Sequence, residues 1–219
     1  MPPPAIILAT RNPGKLREIR AILSDLPLTI EGLDALNGIP GILGIPEIPE
    51  MEETGETLEE NALIKARTVY RLTGLPSISD DSGLEVEFLG GAPGVRSARF
   101  AGGNATYDDN NRKLLSMLSG TDGEARRARF RCVAACVGPG MEHLTEGICD
   151  GRIAQEPRGG SGFGYDPLFI PEGYETTFAE IPPEIKNSIS HRSRAFRSMG
   201  EYLRTLPGPT PAWHSALSQ

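Results

Sequence analysis

Cysteine is scarce in this chain: Cys132, Cys136 and Cys149 are the whole supply, with neither CxxC nor histidine-rich spacing. An odd, unpatterned set excludes a disulfide framework and a zinc site, and leaves small core side chains of a reducing compartment. Positive charge is also short, with 22 Lys and Arg against 29 Asp and Glu, a formal charge of −7. Nucleic-acid and anionic-membrane binding draw most of their affinity from a basic face, so neither partner is expected. No apolar run approaches the roughly 20 residues of a membrane span. The opening Met1-Pro2-Pro3-Pro4-Ala5-Ile6-Ile7-Leu8 has no basic region, which excludes a typical signal peptide and points to the cytoplasm. No internal repeat or domain linker is visible.

What is present is an ordinary globular composition, 38% hydrophobic and 23% charged over 219 residues, enough for one core or one domain with two lobes. At its centre lies Ile78-Ser79-Asp80-Asp81-Ser82-Gly83-Leu84. It reads as a buried strand that breaks on two carboxylates, makes a Ser-Gly turn and resumes through Phe88. Burying adjacent carboxylates is costly unless a cation offsets them, and a hard divalent ion with oxygen ligands is one such partner. A solvated turn is the other reading of the same residues.

In chain order, Ala5 to Ala9 is a continuous apolar run, the mark of a strand covered on both faces. Thr10-Arg11-Asn12-Pro13-Gly14-Lys15 follows, with Asn12 as N-cap and Pro13 in the first turn of a helix carrying Leu16, Ile19, Leu23 and Leu26. Such an opening suits an anion, or is an ordinary strand-to-helix turn with surface cations. The Pro/Gly/Ile-rich stretch from Gly38 to Pro49 reads as a surface loop. Thr57 to Glu60 is a capping box for a helix that stops at Gly74, with Asn61 and Lys65 one turn apart on its polar face. A glycine-rich loop from Gly90 to Gly103 carries Arg96 and Arg99, and Thr106 caps the helix of Leu114 and Leu118. Ala128 to Val137 is a long strand, turned by Gly138-Pro139-Gly140 into a second around Leu144 to Cys149. Asp150-Gly151 is read as the turn to a third, making an antiparallel meander. Arg158 to Pro167 combines glycines with Phe163 and Tyr165, whose ring faces can stack on a base; a flexible connector is the competing reading. Ser190 caps a last helix whose first turn holds His191, Arg192 and Arg194, against the dipole preference, which an anionic ligand explains. Residues 207–219 read as a loose Pro-rich tail.

Two cationic helix openings, an acidic set and an aromatic glycine loop together describe a nucleoside triphosphate site. Thr10-x-Asn12-x-x-Lys15, Glu52-x-x-Gly55, Glu60-Asn61-Ala62-x-x-Lys65-Ala66, Asp80-Asp81-Ser82-Gly83-Leu84, Gly90-Gly91-Ala92-Pro93-Gly94, Gly162-Phe163-Gly164-Tyr165-Asp166-Pro167 and Ser190-His191-Arg192 occur in that order. The set closely resembles the dITP/XTP pyrophosphatases, a house-cleaning family that removes abnormal purine nucleoside triphosphates. The likeness runs from about Ala5 to Leu206.

That resemblance implies an α/β fold: an elongated mixed β-sheet flanked by helices, two lobes with a central substrate cleft, one domain over 1–206, and a homodimer. It implies Mg²⁺-dependent hydrolysis of ITP, dITP or XTP to the monophosphate and pyrophosphate. Asp81 matches the general base and Lys15 a catalytic cation; Glu52 and Asp81 match the metal ligands, with Asp80 a further contact. Thr10, Arg11, Asn12, Pro13, Gly14, Lys15 and Ser82 would hold phosphates. Phe163, Gly164, Tyr165, Asp166, Lys186, His191 and Arg192 would hold base, sugar or phosphate. The rival readings are a pyrimidine nucleotide pyrophosphatase of related architecture, a nucleotidyltransferase, and a non-catalytic nucleotide- or RNA-binding module.

Overall fold

The computed structural model describes residues 5–38 and 48–206. The expectation of a loose tail from Pro207 lies outside the described residues, as does most of the expected surface loop from Gly38 to Pro49; at its described end Ile48 is buried in the core.

Six strands are hydrogen-bonded in the order β2-β1-β3-β4-β5-β6. They are β1 (Ala5–Leu8), β2 (Thr29–Gly32), β3 (Ser77–Val86), β4 (Arg127–Gly138), β5 (Met141–Ile153) and β6 (Phe169–Pro171). Among the described residues five α-helices accompany them: α1 (Pro13–Ile22), α2 (Leu58–Thr73), α3 (Tyr107–Met117), α4 (Pro183–Ile189) and α5 (His191–Thr205). β1 runs parallel to β2 and β3, as expected where helices α1 and α2 supply the crossovers, while β6 is antiparallel to β5. The fold is therefore mixed α/β. Ile6, Ile7 and Leu8 are fully buried, in keeping with a strand covered on both faces. No helix among the described residues is long and apolar enough to cross a membrane.

Helix boundaries follow local chemistry. Asn12 Oδ1 accepts the N–H groups of Gly14 and Lys15 to open α1. Gly74 closes α2 in the left-handed conformation, φ 68°. Thr106 and Asp109 form a complete capping box for α3. At α2 only half of the expected box exists: Thr57 accepts the Glu60 N–H, but the Glu60 carboxylate turns to the N–H of Glu56.

Two expected turns are absent. β3 continues through Asp80, Asp81, Ser82 and Gly83 with no break. A Cβ on Gly83 would lie 2.5 Å from the Gly94 carbonyl oxygen, so the glycine serves a close backbone approach. Gly83→Ala is expected to destabilise the protein by about 1–3 kcal/mol. The urea midpoint reads this directly, and an unchanged midpoint would mean that the Gly94 segment yields freely. Likewise β5 passes through Asp150-Gly151, because a Cβ on Gly151 would meet the Ile170 carbonyl oxygen of β6 at 2.3 Å. The third strand of the meander is β6.

The chain forms two compact units. The first comprises Met1–Asp81, Val133–Glu146 and Ala195–Gln219; the second comprises Ser82–Cys132 and Gly147–Arg194. The first packs Ile7, Ala9, Leu36, Ile48, Val69 and Leu75 into a core. The second gathers much of the chain's sparse aromatic content: the Phe169 ring lies 4.6 Å from Phe130 and 5.1 Å from Phe178. All three cysteines are buried and free, as expected of small core side chains.

Candidate active site

Strand alternation decides where the acidic pair points. Ser77, Ser79 and Asp81 share one face of β3, and all three reach α2. Ser77 Oγ donates to the Ala66 carbonyl and Ser79 Oγ to that of Ala62. Asp81 takes Lys65 Nζ on Oδ1 at 2.9 Å and Asn61 Nδ2 on Oδ2 at 3.2 Å. Asp80 points the other way and meets Lys15 of α1, with Nζ 3.0 Å from its Oδ2. The two neighbouring carboxylates thus have a lysine each, on opposite faces of the strand.

A second carboxylate joins Asp81. Glu53 Oε1 receives Lys65 Nζ at 2.9 Å, so one ammonium bridges two acids. The segment carrying Glu53 is held by Asn61, whose Oδ1 accepts the Gly55 N–H at 2.8 Å. Gly55 has to be glycine there, since a Cβ would lie 2.7 Å from that oxygen. Glu52, the expected metal ligand, carries an exposed side chain. Successive residues of an extended segment face opposite ways, and Glu53 is the one turned to Lys65.

The electrostatics follow from this geometry. Burial pushes the Asp81 carboxyl above the ordinary aspartate range, and the Glu53 charge adds to burial against the opposing pull of Lys65. Burial also works to raise Glu53, but the Lys65 ammonium outweighs it, with Lys15 contributing, and Glu53 lies below its usual range. Burial works to lower Lys65; the Asp81 and Glu53 charges, aided by Asp80, prevail and hold it above the ordinary lysine range. Asp81 is therefore the more basic of the two carboxylates that share the Lys65 ammonium.

At the α1 opening, the Asn12 N–H bonds Thr10 Oγ1 at 3.2 Å. Asn12 already occupies the Gly14 and Lys15 N–H groups, and Pro13 has none. What this opening offers an anion is thus the dipole and Lys15, with the first N–H groups already taken by the cap. Arg11 is exposed and donates to the Ile48 carbonyl.

The other expected residues lie in the second unit. Asp166 Oδ2 accepts the Phe163 N–H at 2.8 Å and Lys186 Nζ at 2.6 Å, closing the glycine loop on itself. Gly162 allows this, because a Cβ would lie 2.1 Å from that oxygen. Phe163 is half-buried with Lys186 Nζ 5.0 Å and Arg192 Cζ 5.4 Å from its ring centre. Arg192 also reaches Ser82 Oγ at 3.3 Å. His191 stacks on Phe130, with ring centres 4.5 Å apart. Tyr165 does not offer its ring for stacking; it is buried in the core and its hydroxyl donates to the Ser97 carbonyl at 2.9 Å.

A profile described as the Ham1 family matches residues 6–202. The chain belongs to the Ham1 family. A dITP/XTP pyrophosphatase of Geobacter sulfurreducens is 48% identical over 199 residues, 90% of this chain and 96% of that protein. Its counterpart from Streptomyces avermitilis is 47% identical over 206 residues, 93% of this chain and 98% of that one. Among solved structures, a HAM1 protein from Coxiella burnetii is 39% identical with a TM-score of 0.80, covering 93% of this chain and 100% of its own. A nucleoside-triphosphatase, dITP/XTP pyrophosphatase, from Mycobacterium abscessus is 41% identical with a TM-score of 0.69, covering 89% and 98%.

For this Ham1 protein, sequence reasoning underweighted Glu53, Asn61 and Lys65. The signal for the last two was their one-turn spacing on α2, which is equally the pattern of a solvated face. Glu53 had none beyond lying next to Glu52 in an acidic run.

Proposed function

We propose that this Ham1 protein hydrolyses deaminated purine nucleoside triphosphates, ITP, dITP and XTP, to the monophosphate and pyrophosphate. The observation that carries this reading is the Asp81 carboxylate, buried, more basic than usual, and fixed by Lys65 and Asn61 beside Glu53. The names of relatives nearly half identical over nine-tenths of the chain support it.

The chemistry is phosphoanhydride hydrolysis. Asp81 accepts a proton from water as the water oxygen attacks the α-phosphorus. The bond to the bridging oxygen breaks, and that oxygen leaves on pyrophosphate. Lys15 and the α1 opening stabilise charge on the leaving group, with Thr10 and Asn12 shaping the opening. The donor set fits Mg²⁺: Glu53 and Asp81 supply two hard carboxylates gathered on one ammonium, the share such an ion takes when phosphates supply the rest. When bound, the ion would neutralise charge on the phosphate oxygens. Glu52, the ligand that the family resemblance implies, carries an exposed side chain one residue before Glu53 and would join the same set. Phe163 offers a face to the base, while Ser82, Lys186, His191 and Arg192 hold base, sugar or phosphate. A homodimer in the cytoplasm belongs to the same reading, and sedimentation reads the dimer directly.

The test is a nucleotide panel with Mg²⁺, detecting pyrophosphate and orthophosphate separately. Pyrophosphate from ITP, dITP and XTP is expected, with ATP, GTP and the pyrimidine nucleotides spared. Orthophosphate as the first product, a pyrimidine preference, nucleotidyl transfer, or binding without turnover would each overturn the proposal.

A further inference from the structure

α3 carries two adjacent asparagines, Asn110 and Asn111, both buried. Asparagine is a mediocre helix former, and a buried amide needs partners. Asn110 finds both: its Oδ1 accepts the Ala101 N–H at 2.7 Å and its Nδ2 donates to the Ala98 carbonyl at 3.0 Å. Asn111 makes one bond. Its Nδ2 donates to the Gly164 carbonyl at 3.1 Å, while its Oδ1 is buried with no hydrogen-bond partner among the described residues. The reverse orientation would set oxygen against oxygen, so the amide can face Gly164 only as a donor. A side chain that leaves its own oxygen unsatisfied to hold one carbonyl marks that carbonyl's direction as important.

Gly164 sits in the left-handed region at φ 63°, and a Cβ there would meet nothing within 4 Å. Glycine on one side makes rotation of the Gly164–Tyr165 peptide plane sterically easy. The flanking planes are held by the backbone, since the Asp166 N–H bonds the Phe163 carbonyl at 3.2 Å to close a turn around Gly164 and Tyr165 and the Leu168 N–H bonds the Tyr165 carbonyl at 2.9 Å, but the central Gly164–Tyr165 plane takes part in neither bond. Asn111 does fix it. Ala92–Pro93 is the cis bond found among the described residues, so this peptide is trans and its N–H points opposite to its carbonyl. With the Gly164 oxygen turned to α3, the Tyr165 N–H is turned away from α3, and it makes no hydrogen bond to the described residues.

We infer that Asn111 is a specificity-determining positioning residue, locking the Gly164–Tyr165 peptide so that the Tyr165 N–H serves as a fixed donor for the 6-keto oxygen of the purine. This rests on the function proposed above. Hypoxanthine and xanthine present an acceptor at position 6, and adenine presents an amino group. A fixed N–H pairs with the first and opposes the second, whereas the flipped peptide would present a carbonyl and favour adenine. Guanine shares the 6-keto group, so this donor does not distinguish it.

The experiment compares kcat/KM for ITP, GTP, ATP and purine riboside triphosphate, which lacks a substituent at position 6, in the Mg²⁺-loaded full-length protein. Wild type is expected to favour ITP over purine riboside triphosphate. In Asn111→Leu, of similar volume but without a donor, that preference and the ITP-to-ATP preference should each fall by about tenfold or more, while the ITP-to-GTP ratio holds. Inhibition by inorganic tripolyphosphate, which has no base, should not change. A residue needed only for folding would lower all four substrates together. Unaltered ITP preferences in Asn111→Leu, or in Asn111→Ala if the first variant does not fold, would overturn the inference, as would a wild type indifferent to the 6-keto group. A wild type that releases no pyrophosphate from ITP overturns the functional reading instead.

Discussion

Asp81→Asn is expected to lower kcat for ITP by about 10²- to 10⁴-fold while the protein stays folded. An amide cannot take the proton from the attacking water, and it is a poorer ligand for a hard cation. Folding survives because the new amide oxygen can still accept from Lys65, and Lys65 keeps Glu53 at 2.9 Å. Single-turnover assays and a thermal melt on the same preparation separate the two effects. The pH profile adds a second reading. Turnover needs the Asp81 anion, and burial raises its carboxyl. The wild-type acid limb should therefore vanish in the variant, and in the metal-free protein the Asp81 carboxyl should titrate above the ordinary aspartate range. Near-normal ITP hydrolysis by Asp81→Asn would remove Asp81 from the chemistry.

Lys65→Met is the second large effect, on stability as well as rate. The Lys65 side chain is 9% exposed and is the cation shared by Asp81 and Glu53. Removing one partner of a buried ionic set typically costs about 3–5 kcal/mol, because the remaining charges are left uncompensated. The pH dependence has a definite sign. In wild type, Glu53 lies below its usual range, so its contribution is present above about pH 4.3 and is lost as pH falls through the lower folded value. Lys65 is raised, so its contribution is complete below about pH 10.4 and is lost as pH rises through the higher folded value. In the variant the buried Asp81 and the partly buried Glu53 lose their shared ammonium and keep only the weaker pull of Lys15, so their folded values rise. Its stability then falls as pH rises through those values. The gap between wild type and variant should be wide at neutral pH and narrow in mild acid. Urea titrations at both conditions measure it, and a constant gap would show that Lys65 is held for packing alone.

Much of this protein was legible residue by residue. The Asn12, Gly74 and Thr106 caps, the apolar first strand, the Gly138-Pro139-Gly140 hairpin and the buried cysteines all follow from short-range chemistry that sequence states directly. Glycine was the least faithful guide. Gly83 and Gly151 read as turns, yet both lie inside strands beside another backbone. A missing Cβ serves a turn and a close approach equally, and the distinction lies in a neighbour far along the chain.

By itself the amino-acid order determined which residue types recur at which spacing, and hence the mixed α/β class and the ordered motifs of the Ham1 family. Tertiary structure decided direction. It sent Asp80 to Lys15 and Asp81 to Lys65, turned Glu53 to Lys65 with Glu52 exposed beside it, and turned Tyr165 inward while leaving Phe163 half-exposed. The reason is that alternation along a strand guarantees opposite faces for adjacent side chains, but only the helices packed on each face decide which carboxylate meets which cation.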